Sequence, residues 1–147
     1  MERNTSELFI QIRALGSAME TFERAASQAL GINRSDLQAL NALEHGPLSH
    51  GHLADRLGLT SGTVTTLVDR LVVAGYVERQ PDPTDRRRSE VALTPTTYQA
   101  FARVYRPCGE AVAHALGDLD DDACQSAVSA LRLAASAING AATQLAR

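Results

Sequence analysis

Two stretches of the chain hold residue types at spacings that could do chemistry. The first is Thr60-Ser61-Gly62-Thr63-Val64-Thr65-Thr66, where Ser61, Thr63, Thr65 and Thr66 place four hydroxyls in six positions. With Val64 set aside as an inward residue, only Ser, Gly and Thr remain, small enough for a helix to sit deep in a major groove. There Ser and Thr can meet several base edges, and a Thr methyl can touch a thymine methyl. A helix N-terminus also directs positive partial charge toward phosphate. Residues of this kind are weak helix formers, so helix stability alone does not account for them. The alternative is a polar cap on an ordinary surface helix. The second stretch is Arg86-Arg87-Arg88. At the tip of a thin β-ribbon such a run suits a narrow minor groove, where the negative potential is enhanced. In isolation such a run is more often a solvated loop. Arg70 is expected either to clamp a phosphate or to pair with Asp69 or Asp55. Ser35, at a helix start, is expected to hold the frame through phosphate contact.

Other candidate chemistry is thin. Gly58-Leu59-Thr60-Ser61-Gly62 lacks the Lys of a phosphate loop. Asp118, Asp120, Asp121 and Asp122 resemble part of a metal cluster, but carboxylates at a helix start are favoured by the helix dipole alone. His45, His50, His52 and His114 are scattered, with no Cys or carboxylate at ligand spacing. No nucleophile stands beside a base, so no catalytic residue, metal or cofactor is assigned.

The elements that must position these residues follow from periodicity. Asn4-Thr5-Ser6-Glu7 has capping-box form and opens a helix to Leu30. Leu8, Ile12, Leu15, Met19, Phe22, Ala26 and Ala29 alternate by four and three along it, an a/d seam. A helix of that length, nearly 40 Å, exceeds what a small domain covers from inside, which points to packing on a second subunit. Gly31 can end it, and Ser35-x-x-Gln38 can cap a second helix with Leu37, Leu40 and Leu43 inward. A third begins near Gly51 and stops at Gly58. Thr60 caps a fourth, with Val64, Leu67, Val68 and Leu71 on one face, ended by Gly75. A helix, a tight turn and a second helix form a helix-turn-helix. Residues 76–80 and 89–93 then read as strands around a Pro- and Asp-rich turn, which makes a wing. Thr94-Pro95 opens a fifth helix with Pro107 inside it. The acidic run opens a sixth, where Cys124, Val128, Leu131, Ala135, Ile138, Ala142 and Leu145 form a second four-three seam. Amphipathic helices thus bracket the central unit at both ends, as a dimer would require.

Composition agrees with this outline. The chain has 147 residues, 44% hydrophobic and 21% charged, which suits a folded domain rather than disorder. No apolar run reaches the roughly 18 residues of a membrane span, and the N-terminus has no signal-peptide core, so a cytoplasmic, membrane-free protein is expected. A net charge of −3, taken as a whole, is ill suited to nucleic acid, but its distribution matters more. Residues 56–88 carry six Arg against four acids, +2, leaving −5 for the rest.

The run Leu71-Val72-Val73-Ala74-Gly75-Tyr76-Val77-Glu78-Arg79, followed by Asp82-Pro83-Thr84-Asp85-Arg86-Arg87 and Val91-Ala92-Leu93-Thr94, resembles the MarR (multiple antibiotic resistance regulator) family. The spacing from Asp85-x-Arg87 to Leu93-Thr94 matches that family's wing motif, and Val68-Asp69-Arg70-Leu71 matches its recognition-helix end. One position departs: the family often has Gly where this chain has Thr97.

The resemblance implies a mainly α fold with a small β-hairpin wing, a winged helix-turn-helix flanked by N- and C-terminal dimerisation helices. Within residues 1–147 it divides the chain into a DNA-binding part, 33–93, and a dimerisation part, 4–30 plus 94–146. It implies a homodimeric regulator, by family habit a repressor, binding a pseudo-palindromic site on double-stranded DNA with half-sites about 10 bp apart. Ser61, Gly62, Thr63, Thr65 and Thr66 would face the major groove, and Arg87, supported by Arg86 and Arg88, the minor groove. Asp85 would orient the wing, and Ser35 and Arg70 would contact phosphate. A small aromatic or phenolic effector is the usual signal in the family. Its hydroperoxide sensors carry a Cys near the N-terminus, and none precedes Cys108 here. Cys108 and Cys124 fall on apolar stripes, where buried structural thiols are expected. A thiol- or metal-responsive regulator of this fold, or a winged-helix interaction module that binds no DNA, are the alternatives.

Overall fold

The computed structural model describes residues 2–83 and 88–145. Its elements run α1 (Glu2–Leu30), α2 (Arg34–Leu43), β1 (Leu48–Ser49), α3 (His50–Leu57), α4 (Ser61–Val73), β2 (Val77–Pro81), β3 (Ser89–Leu93), α5 (Pro95–Ala115) and α6 (Asp121–Leu145). The architecture is mainly helical with one small antiparallel sheet, as expected for a winged helix. The chain divides into two compact units, residues 18–108 on one hand, and residues 1–17 with 109–147 on the other.

The core lies in the 18–108 unit. Leu37, Leu40 and Leu43 of α2, Leu53 of α3 and Val64, Val68 and Leu71 of α4 are fully buried together. These are the inward stripes that helical spacing dictates, so each helix places its polar residues outside. Val77 of β2 and Val91 and Leu93 of β3 extend this core under the wing. The β2–β3 register pairs Val77 with Leu93 and Arg79 with Val91. The sheet has a third strand that periodicity did not suggest: β1 pairs Leu48 with Val91 and Ser49 with Glu90, giving the order β1-β3-β2. A two-residue strand is too short to display a period.

Two glycines close the helices that frame the turn and the wing. Gly58 (φ 64°) ends α3, with its N–H donating to Asp55 O and that of Leu59 donating to Ala54 O. Gly75 (φ 77°) ends α4 in the same way, through Gly75 N to Val72 O and Tyr76 N to Leu71 O. Both are Schellman closures, which need a left-handed residue that glycine supplies without a Cβ penalty. Thr94 then ties α5 back to the end of α4, its hydroxyl donating to Gly75 O at 2.8 Å. Thr97, where the family often has Gly, is buried and donates its hydroxyl to Tyr76 O. That hydrogen bond lies at the joint between the wing and α5.

Aromatic residues lock α1 and α5 onto α2. Phe22 meets Tyr105 edge-on at 5.2 Å, Phe101 lies 5.4 Å from Tyr105, and the Tyr105 hydroxyl donates to Asn41 Oδ1 at 3.2 Å. Burial pushes the Tyr105 phenol above its ordinary value.

Three local expectations are corrected. α1 already runs at Glu2, so Asn4 is not its cap, and Glu7 instead accepts from Gln11 Nε2 at 2.7 Å. The cap of α2 is Asn33, whose side chain accepts from Asp36 N at 2.9 Å, not Ser35, which lies inside the first turn. Cys124 is exposed and Cys108 only half-buried; no described residue of α6, the helix that carries Cys124, is buried. At α6, Asp120 Oδ1 accepts from Ala123 N at 2.8 Å, the capping role expected of the acidic run. Among the described residues, no three His, Cys, Asp or Glu side chains converge to hold a metal, and no helix is long and apolar enough to cross a membrane.

Candidate nucleic-acid interface

α4 is built so that one side is anchored and the other is bare. Val64, Leu67, Val68 and Leu71 are buried, whereas Ser61, Gly62, Thr63, Thr65 and Thr66 are all exposed. Thr60 caps the helix, accepting from Thr63 N at 3.3 Å, and its Oγ1 lies 2.9 Å from Thr63 Oγ1 in a shared hydrogen bond. A Cβ added at Gly62 would meet no atom within 4 Å, so the helix surface there is open.

The flank of this surface is formed by the first turn of α2. Ser35 is exposed there and borders, with Asn33, Thr63, Thr66 and Arg70, a cleft of about 340 Å³. Arg70 is not paired with Asp69 or Asp55. Its Nε donates to Asp36 Oδ2 at 3.2 Å and its Nη2 to Asp36 Oδ1, a two-pronged contact across 34 positions of sequence. Asp36 is 3% exposed, while the Arg70 side chain keeps 49% of its surface in solvent. That hydrogen bond holds the Arg70 guanidinium above its usual, already high, value, so it stays charged. Asp69 is instead paired with Arg79 Nη2 of β2, joining α4 to the wing.

Asp36 thus fixes the far end of α4 against α2, a role that sequence alone did not disclose. Asp36→Ala should lower stability by about 1–2 kcal/mol in urea unfolding, the lower part of the range for charged hydrogen bonds because Arg70 can be rehydrated.

At the wing, Asp82 N donates to Arg88 O at 3.0 Å, and Arg88 is exposed. Asp85, Arg86 and Arg87 lie outside the described residues. Of the predicted contact residues, Ser35, Gly62, Thr63, Thr66 and Arg70 gather around the start of α4 and the adjoining cleft, with Ser61 and Thr65 on its open face.

Three helices, a tight turn between the last two, and a hairpin braced by a short third strand define the winged-helix class. The MarR family model matches residues 30–88. The HTH-type transcriptional regulator YcgE of Bacillus subtilis is 40% identical over 111 residues, covering 75% of this chain and 70% of YcgE. A MarR family protein from Bacillus stearothermophilus has the same fold, with a TM-score of 0.73 at 24% identity over 95% of this chain and 98% of its own. So does a MepR variant from S. aureus solved bound to an oligodeoxyribonucleotide, with a TM-score of 0.58 at 19% identity over 89% and 97%. The chain belongs to the MarR family of winged-helix transcription regulators.

Proposed function

We propose that this chain is a ligand-responsive repressor that binds a pseudo-palindromic operator on double-stranded DNA as a homodimer. The observation that carries the reading is α4: an exposed row of Ser, Gly and Thr over a fully buried apolar face, flanked by Ser35 and a charged Arg70. Ser61, Gly62, Thr63, Thr65 and Thr66 face the major groove, Arg86, Arg87 and Arg88 engage the minor groove with Asp85 in support, and Ser35 and Arg70 hold phosphates. A relative in fold has been solved on an oligodeoxyribonucleotide, which supports the same use here.

Residues 33–93 form the DNA-binding part, and 4–30 with 94–146 the dimerisation part. Support for the second comes from apolar side chains that a single chain leaves open. No described residue of α6 is buried, and Val128, Leu131 and Ile138 are about half exposed. Leu8, Phe9 and Ile12 of α1 border, with Ala134 and Ile138 of α6, an apolar groove of about 350 Å³. Patches of this kind mark association surfaces. A small aromatic effector has room in a cleft of about 360 Å³ where Arg56 and His45 could meet its polar group. By preferring a dimer arrangement that does not fit the operator, it would lower operator affinity.

Two substitutions test the reading. Gly62→Ala should raise helix stability by up to about 1 kcal/mol, since the site is open, yet weaken duplex binding on the order of tenfold by holding α4 off the bases. Arg87→Ala, titrated against duplex at fixed salt, should lose most of its affinity and flatten the salt dependence by about one counterion. Unchanged affinity in Arg87→Ala would contradict the wing's role.

A further inference from the structure

Two hydroxyls of α4, those of Thr65 and Thr66, are spent on the backbone of their own helix. Thr65 Oγ1 donates to Ser61 O at 2.9 Å, and Thr66 Oγ1 donates to Gly62 O at 3.2 Å, each reaching one turn back along its own helix. Thr63 Oγ1 is engaged with Thr60 Oγ1. A hydroxyl has a single proton to give. Once it is spent on the helix backbone, the exposed remainder of Thr65 and Thr66 is a γ-methyl and oxygen lone pairs. The two residues are neighbours on the open side of the helix, beside Gly62, where nothing projects.

That surface matches one kind of base edge better than the others. Guanine presents two acceptors to the major groove and calls for Arg or Lys, and adenine is read in two-pronged fashion by Asn or Gln. None of these four residue types occurs in α4 before Arg70, and Arg70 is held by Asp36. Across the major groove an A·T pair presents adenine N7, the adenine amine, thymine O4 and, at its outer end, the thymine C5-methyl. The γ-methyl of one threonine complements the thymine methyl, and an oxygen lone pair of its neighbour complements the adenine amine.

We infer that Thr65 and Thr66 make α4 a thymine-methyl reader, so that each operator half-site is recognised at A·T pairs through the thymine C5-methyl. The inference rests on the DNA-binding reading above and names the bases which that reading leaves open.

The test changes the DNA rather than the protein. In a duplex selected from a random pool, each half-site thymine is replaced in turn by deoxyuridine, which removes the C5-methyl alone. Affinity should fall about fourfold at each contacted thymine, the value of one buried methyl group. Thr65→Ser or Thr66→Ser, which keep the hydroxyl, should bind the thymine and uracil duplexes equally at the matching position. Thr65→Val or Thr66→Val, which keep the methyl, should still discriminate. Specific binding with no loss at any uracil, or half-sites with no fixed thymine, overturns the inference and leaves the operator-binding reading intact. A pool from which no sequence is enriched overturns both.

Discussion

Leu131→Glu should leave the winged helix folded and abolish self-association. Leu131 is half exposed on α6, and no described residue of that helix is buried. An amphipathic helix of 25 residues with an open apolar seam gains little of its stability from helix propensity, and most from whatever covers it. If the cover is a second copy, a carboxylate at Leu131 is buried without a partner in two symmetric places, which costs several kcal/mol at each. Sedimentation should then show a monomer at concentrations where the parent chain is a dimer. Operator affinity should drop by about 100-fold or more, because the second half-site no longer binds as part of the same particle. A Leu131→Glu chain that stays dimeric would place the interface elsewhere.

Leu40→Ala should produce the largest loss of fold stability. Leu40 is completely buried on the inward face of α2, within the cluster shared with α3 and α4. Truncation of such a Leu costs about 2–5 kcal/mol, the spread depending on how far the cavity collapses. Against a typical total of about 5–15 kcal/mol that is a large share. The urea midpoint should fall with the slope unchanged. Leu133→Ala is the internal control: Leu133 is 73% exposed on α6, and its truncation should move the stability of the winged helix by no more than about 0.5 kcal/mol. Comparable losses for both would mean that the core is misplaced.

Much of this architecture is legible in the residues themselves because the signals are local. Leu37, Leu40 and Leu43 name the inward face of α2, Gly58 and Gly75 mark helix ends, and Thr60 and Thr94 cap the helices that follow them. The misses are the features that local pattern does not encode. Asn33 and Ser35 are both favoured cap residues two positions apart, and only the backbone decides between them. β1 consists of two residues and exists because β3 offers it an edge. The Asp36–Arg70 pair joins positions 34 apart, and an acid in the first turn of a helix looks like a dipole partner whether or not it has a cation. At the interface, residue types gave the hydroxyl face of α4, but not the internal hydrogen bonds of Thr65 and Thr66 that decide what the face can offer a base.

On the proposed reading, α4 and the wing read sequence in duplex DNA, twice over, from a symmetric dimer. The most direct test of that reading is selection from a random duplex pool at near-physiological salt, followed by sequencing of what is retained, since phosphate contacts make affinity strongly salt-dependent. The expected result is enrichment of an inverted repeat whose half-sites lie about 10 bp apart, one helical turn. A pool that stays random after selection by folded, dimeric protein would contradict it.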